Sequence, residues 1–445
     1  MNKTSWDAFL EFEKDNKLFD FSDKNGIAVW DIIRHYIYSS TLSFDSSCDD
    51  SHSILSVRTV SKLKTIPLFL RWMISAHKNI FVFMCSRNLL GGRLVDQNLL
   101  GPLSVIGYDD CYLMESFNDP RDKRMAYPIK PSPSIIGVVS CFIKKNYDFS
   151  EIVSIIKRYY PKASISIEAI DGMYRTFYAQ LLFYRCFFRL RHFKRIILTQ
   201  NNFQKGMYFA AHQLGIPIYE IQHGYVSRAH MGYSYPREYE GLEKKVYCAD
   251  KVLSMAPFWF KGVFNPVSTF VPIGNDYQAP TINRQAIEHK SFVVVSANVY
   301  GAALKELVYS VLKKECKFHF YFKLHPNEYS NYDDYCNFFK GDPRVDVISN
   351  QKTMQDLLKT AESVLLIQST AAYEALYSGV KVFVYKRLSW EMNEDIADQK
   401  GVYFVDNADD LISMYESSRG DTLEPDSQYF MRFDKNAFLN AIEMN

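Results

Sequence analysis

Three short polar clusters in this 445-residue chain each follow a run of apolar residues, the position at which parallel α/β sheets hold ligands. The first is Gln222-His223-Gly224-Tyr225. A loop histidine can take a proton from a hydroxyl near neutral pH, and the glycine beside it lets backbone approach a ligand closely. His223 is therefore the candidate general base, with Gln222, Gly224 and Tyr225 as acceptor or cleft residues. The second cluster is Lys323-Leu324-His325-Pro326, where Lys323 and His325 suit phosphate oxygens and Pro326 fixes the turn that aims them. The third, Gln368-Ser369-Thr370, opens a helix, and its N–H groups and hydroxyls suit a diphosphate. Glu374 lies one helical turn beyond Thr370, within reach of a ribose hydroxyl. Each cluster also has a plain reading: a histidine bonded to a backbone carbonyl, a turn after a strand, an ordinary Ser/Thr N-cap.

The absences narrow the chemistry. The chain holds no G-x-G-x-x-G, no G-x-x-x-x-G-K-[ST], no H-E-x-x-H and no G-x-S-x-G, so dinucleotide oxidoreductase, P-loop NTPase, zincin and α/β-hydrolase readings lack their signatures. It also lacks D-x-D, the carboxylate pair that would hold a metal on a sugar nucleotide, so no metal and no cofactor are expected. The eight scattered cysteines never form C-x-x-C and read as reduced thiols. Lys and Arg number 52 against 50 Asp and Glu, and a net charge of +2 gives no global field to hold nucleic acid. Basic-aromatic stretches at 58–78 and 184–195 read either as core helices with basic side chains on the wet side or as surfaces for anionic lipid. No apolar run approaches the roughly 20 residues of a spanning helix, and the first 20 residues lack the basic, apolar and cleavage regions of a signal peptide. A cytoplasmic protein is expected, with peripheral contact at the inner membrane as a further expectation.

These clusters need elements to position them. Phe9, Phe12, Leu18, Phe19, Ile27, Val29, Trp30, Ile32 and Ile33 recur at mostly helical spacing, so helices are expected before residue 75, interrupted by a polar loop at 43–53. Strands are predicted at 79–85, 135–139, 195–199, 216–221, 251–254 and 269–273. After a polar linker at 280–289 come strands at 292–295, 318–324, 345–348, 364–367 and 382–385. Helices at 204–214, 302–313, 353–360 and 371–377 alternate with them. That alternation specifies an α/β chain of two doubly wound domains facing across a cleft, 1–275 and 290–445, with extra N-terminal helices and a last helix that can pack back on the first domain.

The order Gln222-His223-Gly224, Lys323-Leu324-His325-Pro326, Ser369-Thr370 with Glu374 resembles bacterial surface-polysaccharide glycosyltransferases of the GT-B fold, built from two Rossmann-like domains. The last two clusters are similar to the His-Pro and Ser-Ser/Thr motifs of sialyltransferases and Kdo transferases, and the His223 loop to the His-Gly loop of teichoic-acid glycerophosphotransferases. Phe12-Glu13-Lys14 through Trp30 and Ile33-Arg34 resembles capsule-synthesis proteins. The resemblance implies transfer from a nucleotide-sugar donor, CMP-sugar favoured, to a glycan or lipid-linked glycan acceptor of a capsule or lipopolysaccharide O-antigen; the missing D-x-D makes a metal-independent transfer the expectation, and one base acting in a single displacement makes it inverting. It assigns the donor to Lys323, His325, Pro326, Gln368, Ser369, Thr370 and Glu374, and the base to His223. Asp109-Asp110 and Asp171-Gly172 are the nearest matches to the acidic base motif of sialyltransferases, so Asp109, Asp110 and Asp171 are the other base candidates. The rival expectations are a CDP-polyol phosphotransferase and a non-catalytic scaffold in a polysaccharide assembly complex.

Overall fold

The computed structural model describes residues 5–42, 77–86, 88–115, 123–126, 134–144, 147–199, 203–277, 284–296, 300–314, 317–387, 390–421 and 423–444. The loop expected at 43–53, most of the basic stretch 58–78 and part of the linker at 280–289 lie outside these residues.

Strands such as IFVFM, and KVFVY with its apolar run after Lys381, bury every side chain, which requires cover on both faces and selects a parallel sheet flanked by helices. The first sheet comprises β1 (Ile80–Met84), β4 (Cys111–Glu115), β5 (Arg195–Leu198), β6 (Ile218–Ile221), β7 (Lys251–Ser254) and β8 (Thr269–Pro272), with a hairpin, β2 (Asn88–Leu90) and β3 (Arg93–Val95), beside it. Its order is β4-β1-β5-β6-β7-β8, parallel throughout. The second sheet comprises β9 (Glu288–Val295), β10 (His319–Lys323), β11 (Val345–Ile348), β12 (Ala361–Leu366), β13 (Lys381–Tyr385) and β14 (Val402–Val405) in the order β11-β10-β9-β12-β13-β14, again parallel.

The helices that bear on the site are α1 (Ser5–Asp15), α2 (Trp30–Leu42), α3 (Ser134–Ser140), α4 (Ile167–Arg191), α5 (Lys205–Gln213), α6 (Gly301–Leu312), α7 (Ala371–Tyr377) and α8 (Lys435–Ala441). α3 corrects the strand expected at 135–139. A short apolar run fits a strand or a buried helix equally by periodicity, and here it packs along α4 instead of entering the sheet. The linker is also shorter than expected, since Glu288 and His289 already belong to β9.

The two halves share one core. Tyr225, Tyr233 and Trp259 from the first pack with Tyr373, Leu376 and Tyr429 beyond residue 290. Gly274 follows β8 with a φ of +76° that suits glycine, and a Cβ there would sit 2.0 Å from the Arg432 carbonyl oxygen of the segment that leads to α8. α8 then packs against the first sheet through Phe438 and Ala441. Two Rossmann-like units with extra N-terminal helices make this an α/β protein of GT-B arrangement.

Candidate functional site

In the second sheet β9 leads outward to β10 and β11, whereas β12 returns to the other side of β9, so the strand order reverses between β9 and β12. Open α/β sheets bind ligands outside the carboxyl ends of their strands at such a reversal. Tyr300, at the entry to α6, donates its hydroxyl to Gln368 Oε1 at 2.9 Å, joining the loops after β9 and β12 across that point. Ser369 Oγ accepts from the Ala371 N–H at 3.2 Å and is thereby the cap of α7, while the Thr370 hydroxyl makes no cap bond. The third cluster thus combines both readings, one hydroxyl used for folding and one left over.

Glu374 is not a solvated carboxylate on the helix surface. It is partly buried, takes no hydrogen bond from the described residues, and burial pushes its carboxyl up to about 7. The folded state therefore holds this proton more tightly than the unfolded chain, whose value is ordinary at 4.5, so raising the pH between those values favours unfolding. Glu374→Gln is expected to flatten that loss, by about 1.4 kcal/mol for each unit of difference. Urea titrations at about pH 5 and about pH 7.5 measure it; a variant whose midpoint shifts with pH as the wild type's does would exclude Glu374 as the source.

The His325 loop follows β10, beside β9. Glu328 ties it down from below: buried, it accepts from the His325 N–H at 3.1 Å, from Ser296 Oγ at 3.0 Å and from the Tyr335 hydroxyl at 2.6 Å. Gly301 makes room for this cluster, since a Cβ there would meet the Tyr335 hydroxyl at 1.9 Å. His325 itself is exposed, and Pro326 opens the 3-10 turn Pro326–Asn331. Lys323 is spoken for: its ammonium donates to the Ser349 carbonyl and lies 5.5 Å from the Tyr329 ring centre.

On the first sheet, Gln222 is a staple and not a contact residue. Buried, it accepts from Met255 N–H at 2.9 Å and donates to the Gly224 carbonyl at 2.8 Å, fixing the backbone on both sides of His223. Tyr225 is likewise corrected from cleft to core, with its ring 5.6 Å from Tyr373 of α7. That contact brings the His223 loop against the helix that carries Ser369 and Thr370 at its start. Gly224 has open space where a Cβ would lie. Arg228, five residues beyond His223, bridges Asp7 of α1 at 2.9 Å and Glu394 of the second half at 2.7 Å. Beside Glu394, burial raises Asp395 to about 6 and also raises Glu391. Two further histidines stay neutral through burial, His35 held at about 4 and His230 at about 3, the latter lowered also by the nearness of His223.

The other base candidates are not brought to His223. Asp109 and Asp110 precede β4 and are exposed at the amino edge of the sheet, whereas His223 follows β6 at the carboxyl edge. Asp171 is 2% exposed on α4 and paired with Arg175 Nε at 3.0 Å. Sequence reasoning missed two buried carboxylates on the carboxyl edge. Asp96 accepts from Cys85 N–H at 2.9 Å and from the Thr199 hydroxyl, joining the chain just beyond β1 to the chain just beyond β5. Glu115, at the end of β4, accepts from Ser86 N–H at 3.1 Å. Neither sits in a motif, and a carboxylate closing a hydrophobic strand was the only available signal. Among the described residues no group of His, Cys, Asp and Glu is placed to hold a metal ion. A surface depression of about 380 Å³ lined by His212, Tyr219, Asp250 and Lys251 lies at the amino ends of β6 and β7, away from this region.

No protein-family model and no curated protein matches the sequence. Among solved structures the chain is similar to UDP-GlcNAc 2-epimerase of Methanocaldococcus jannaschii in complex with UDP-GlcNAc and UDP, at 10% identity and a TM-score of 0.48, over 82% of this chain and 99% of that one. It is also similar to MurG of Acinetobacter baumannii at 11% identity and a TM-score of 0.43, over 82% and 100%. UGT2 of Phytolacca americana, complexed with UDP-2fluoro-glucose and pterostilbene, matches at 10% identity and a TM-score of 0.43, over 78% and 91%.

Proposed function

We propose that this chain transfers a sugar from a nucleotide-activated donor to a surface-glycan acceptor, with CMP-sugar the favoured donor. The observation that supports it is the meeting of two carboxyl-edge loops, His223 on one and Gln368-Ser369-Thr370 on the other, through the Tyr225–Tyr373 contact. In this reading Thr370, Gln368, Glu374 and His325 hold the donor's phosphates and ribose, with Lys323 and Pro326 shaping the loop. His223 removes the acceptor proton as the glycosidic bond forms, so that one in-line displacement inverts the sugar centre. Positioning and neutralisation of the leaving phosphate carry the acceleration, with no metal step.

A thermal-shift screen of CMP, CDP, UDP, GDP and dTDP tests the reading, because a ligand that binds only the folded state raises the melting temperature. A shift with none of them would favour the non-catalytic scaffold. Phosphorus retained in the glycan product would favour the polyol phosphotransferase instead. Thr370→Ala is expected to weaken the binding of whichever nucleotide shifts the melt by about 1.5–3 kcal/mol, the worth of one hydrogen bond to a charged group. Its stability should be unchanged, since that hydroxyl caps nothing. Ser369→Ala should cost stability as well, about 0.5–2 kcal/mol for a lost cap. Calorimetric titration of Thr370→Ala giving wild-type affinity would remove this loop from the donor site.

A further inference from the structure

From Gly172 to Tyr219 the chain carries seven Lys and Arg and no Asp or Glu, in a protein whose charges otherwise nearly balance. Four of these cations have partners: Arg175 on Asp171, Lys205 on Asp31, Arg195 on the Ile442 and Glu443 carbonyls, Arg191 over the Tyr112 ring. Arg185, Arg189 and Lys194 have no ion pair among the described residues. They lie on the second half of α4 and just past it, as does exposed apolar surface. Leu182 is 41% exposed and Leu190 57%, and Phe142, just past the α3 helix that packs along α4, is 81% exposed. Leu182, Arg185, Arg189 and Leu190 follow the i, i+3, i+7, i+8 spacing of one helix face, while Tyr184, Phe187 and Phe188 fill the core on the other. The core therefore has no use for the outer face.

We propose that this face rests on an anionic lipid surface. Cations interleaved with aliphatic and aromatic side chains match headgroups and the acyl boundary together. A nucleic-acid backbone would engage the cations and leave Leu182, Leu190 and Phe142 unused. The contact is peripheral, since no helix among the described residues is long and apolar enough to cross a membrane. α4 runs into β5 at its amino end, so docking here leaves the carboxyl edge with His223 open to solvent. This inference stands apart from the transfer reading, because lipid binding is measured without substrate.

The test is co-sedimentation of the full chain with vesicles of equimolar phosphatidylglycerol and phosphatidylcholine and with vesicles of phosphatidylcholine alone. The wild type should pellet with the first and much less with the second, and raised salt should weaken it. Arg185→Glu with Arg189→Glu should lower partition at least about tenfold. Leu190→Ser with Phe142→Ser should lower it several-fold at every salt concentration, with melting curves unchanged because none of the four side chains is buried. A wild type that stays in the supernatant with both vesicles, equal binding to both, or wild-type partition of either variant would overturn the proposal. So would a dimer in solution that Leu190→Ser dissociates, since a second copy would then cover the face.

Discussion

His223→Ala is expected to lower kcat by roughly 10²- to 10⁴-fold while leaving nucleotide affinity close to that of the wild type, the loss that follows removal of a positioned general base. The expectation rests on how much of the fold is spent on this loop. Gln222 pins the backbone on either side of the histidine, Tyr225 anchors it in the shared core two residues later, and Arg228 ties it to α1 and to Glu394. None of these contacts needs the imidazole, so its removal should leave the fold intact. The acidic limb of the wild-type rate profile, in the range where imidazoles titrate, should disappear in the variant. A histidine that only orients the acceptor would show its loss in KM and keep the limb. A variant with wild-type kcat would end the assignment and turn the search to Glu115 and Asp96, the carboxylates that the structure places on the same edge of the sheet.

How far the site could be read from sequence depends on whether its geometry is local. The strands Ile218–Ile221, His319–Lys323 and Ala361–Leu366 are mostly apolar, and polar residues of the three clusters stand where each one ends. The run at 135–139 is more uniformly apolar than any of these and is a helix, its neighbour in space being α4 and not a strand. The Tyr300–Gln368 bond was not legible, since it exists only because β12 returns to lie beside β9. The role of Glu328 was hidden for another reason: its three donors come from Ser296, His325 and Tyr335, on three separate elements. Local sequence showed where ligand-facing loops begin, and strand order decided which of them meet.

Arg34→Ala should be the most destabilising single change at the His223 loop, by about 3–5 kcal/mol, the cost of leaving one member of a buried ion pair alone. Arg34 is 2% exposed, and its Nη2 lies 2.9 Å from Glu13 Oε2 while its Nε donates to the other carboxylate oxygen. Its remaining nitrogen, Nη1, donates to the Met231 carbonyl at 2.6 Å and the Ser234 carbonyl at 2.9 Å, both on the segment that continues from His223. Truncation therefore strands a carboxylate with no exposed surface and removes the donor shared by two carbonyls. Arg34→Lys should recover only part of this, because one ammonium cannot reproduce a planar fork with bonds in two directions. Glu13→Gln should cost less than Arg34→Ala, since the amide oxygen still accepts from Trp30 Nε1, now 2.7 Å from the carboxylate. Urea titration followed by far-ultraviolet circular dichroism measures the ordering of the three variants. If Arg34→Ala unfolds within about 1 kcal/mol of the wild type, the pair is a bystander. If the ordering holds, the N-terminal helices are what keeps the His223 loop in place, since α1 supplies Glu13 and α2 supplies Arg34.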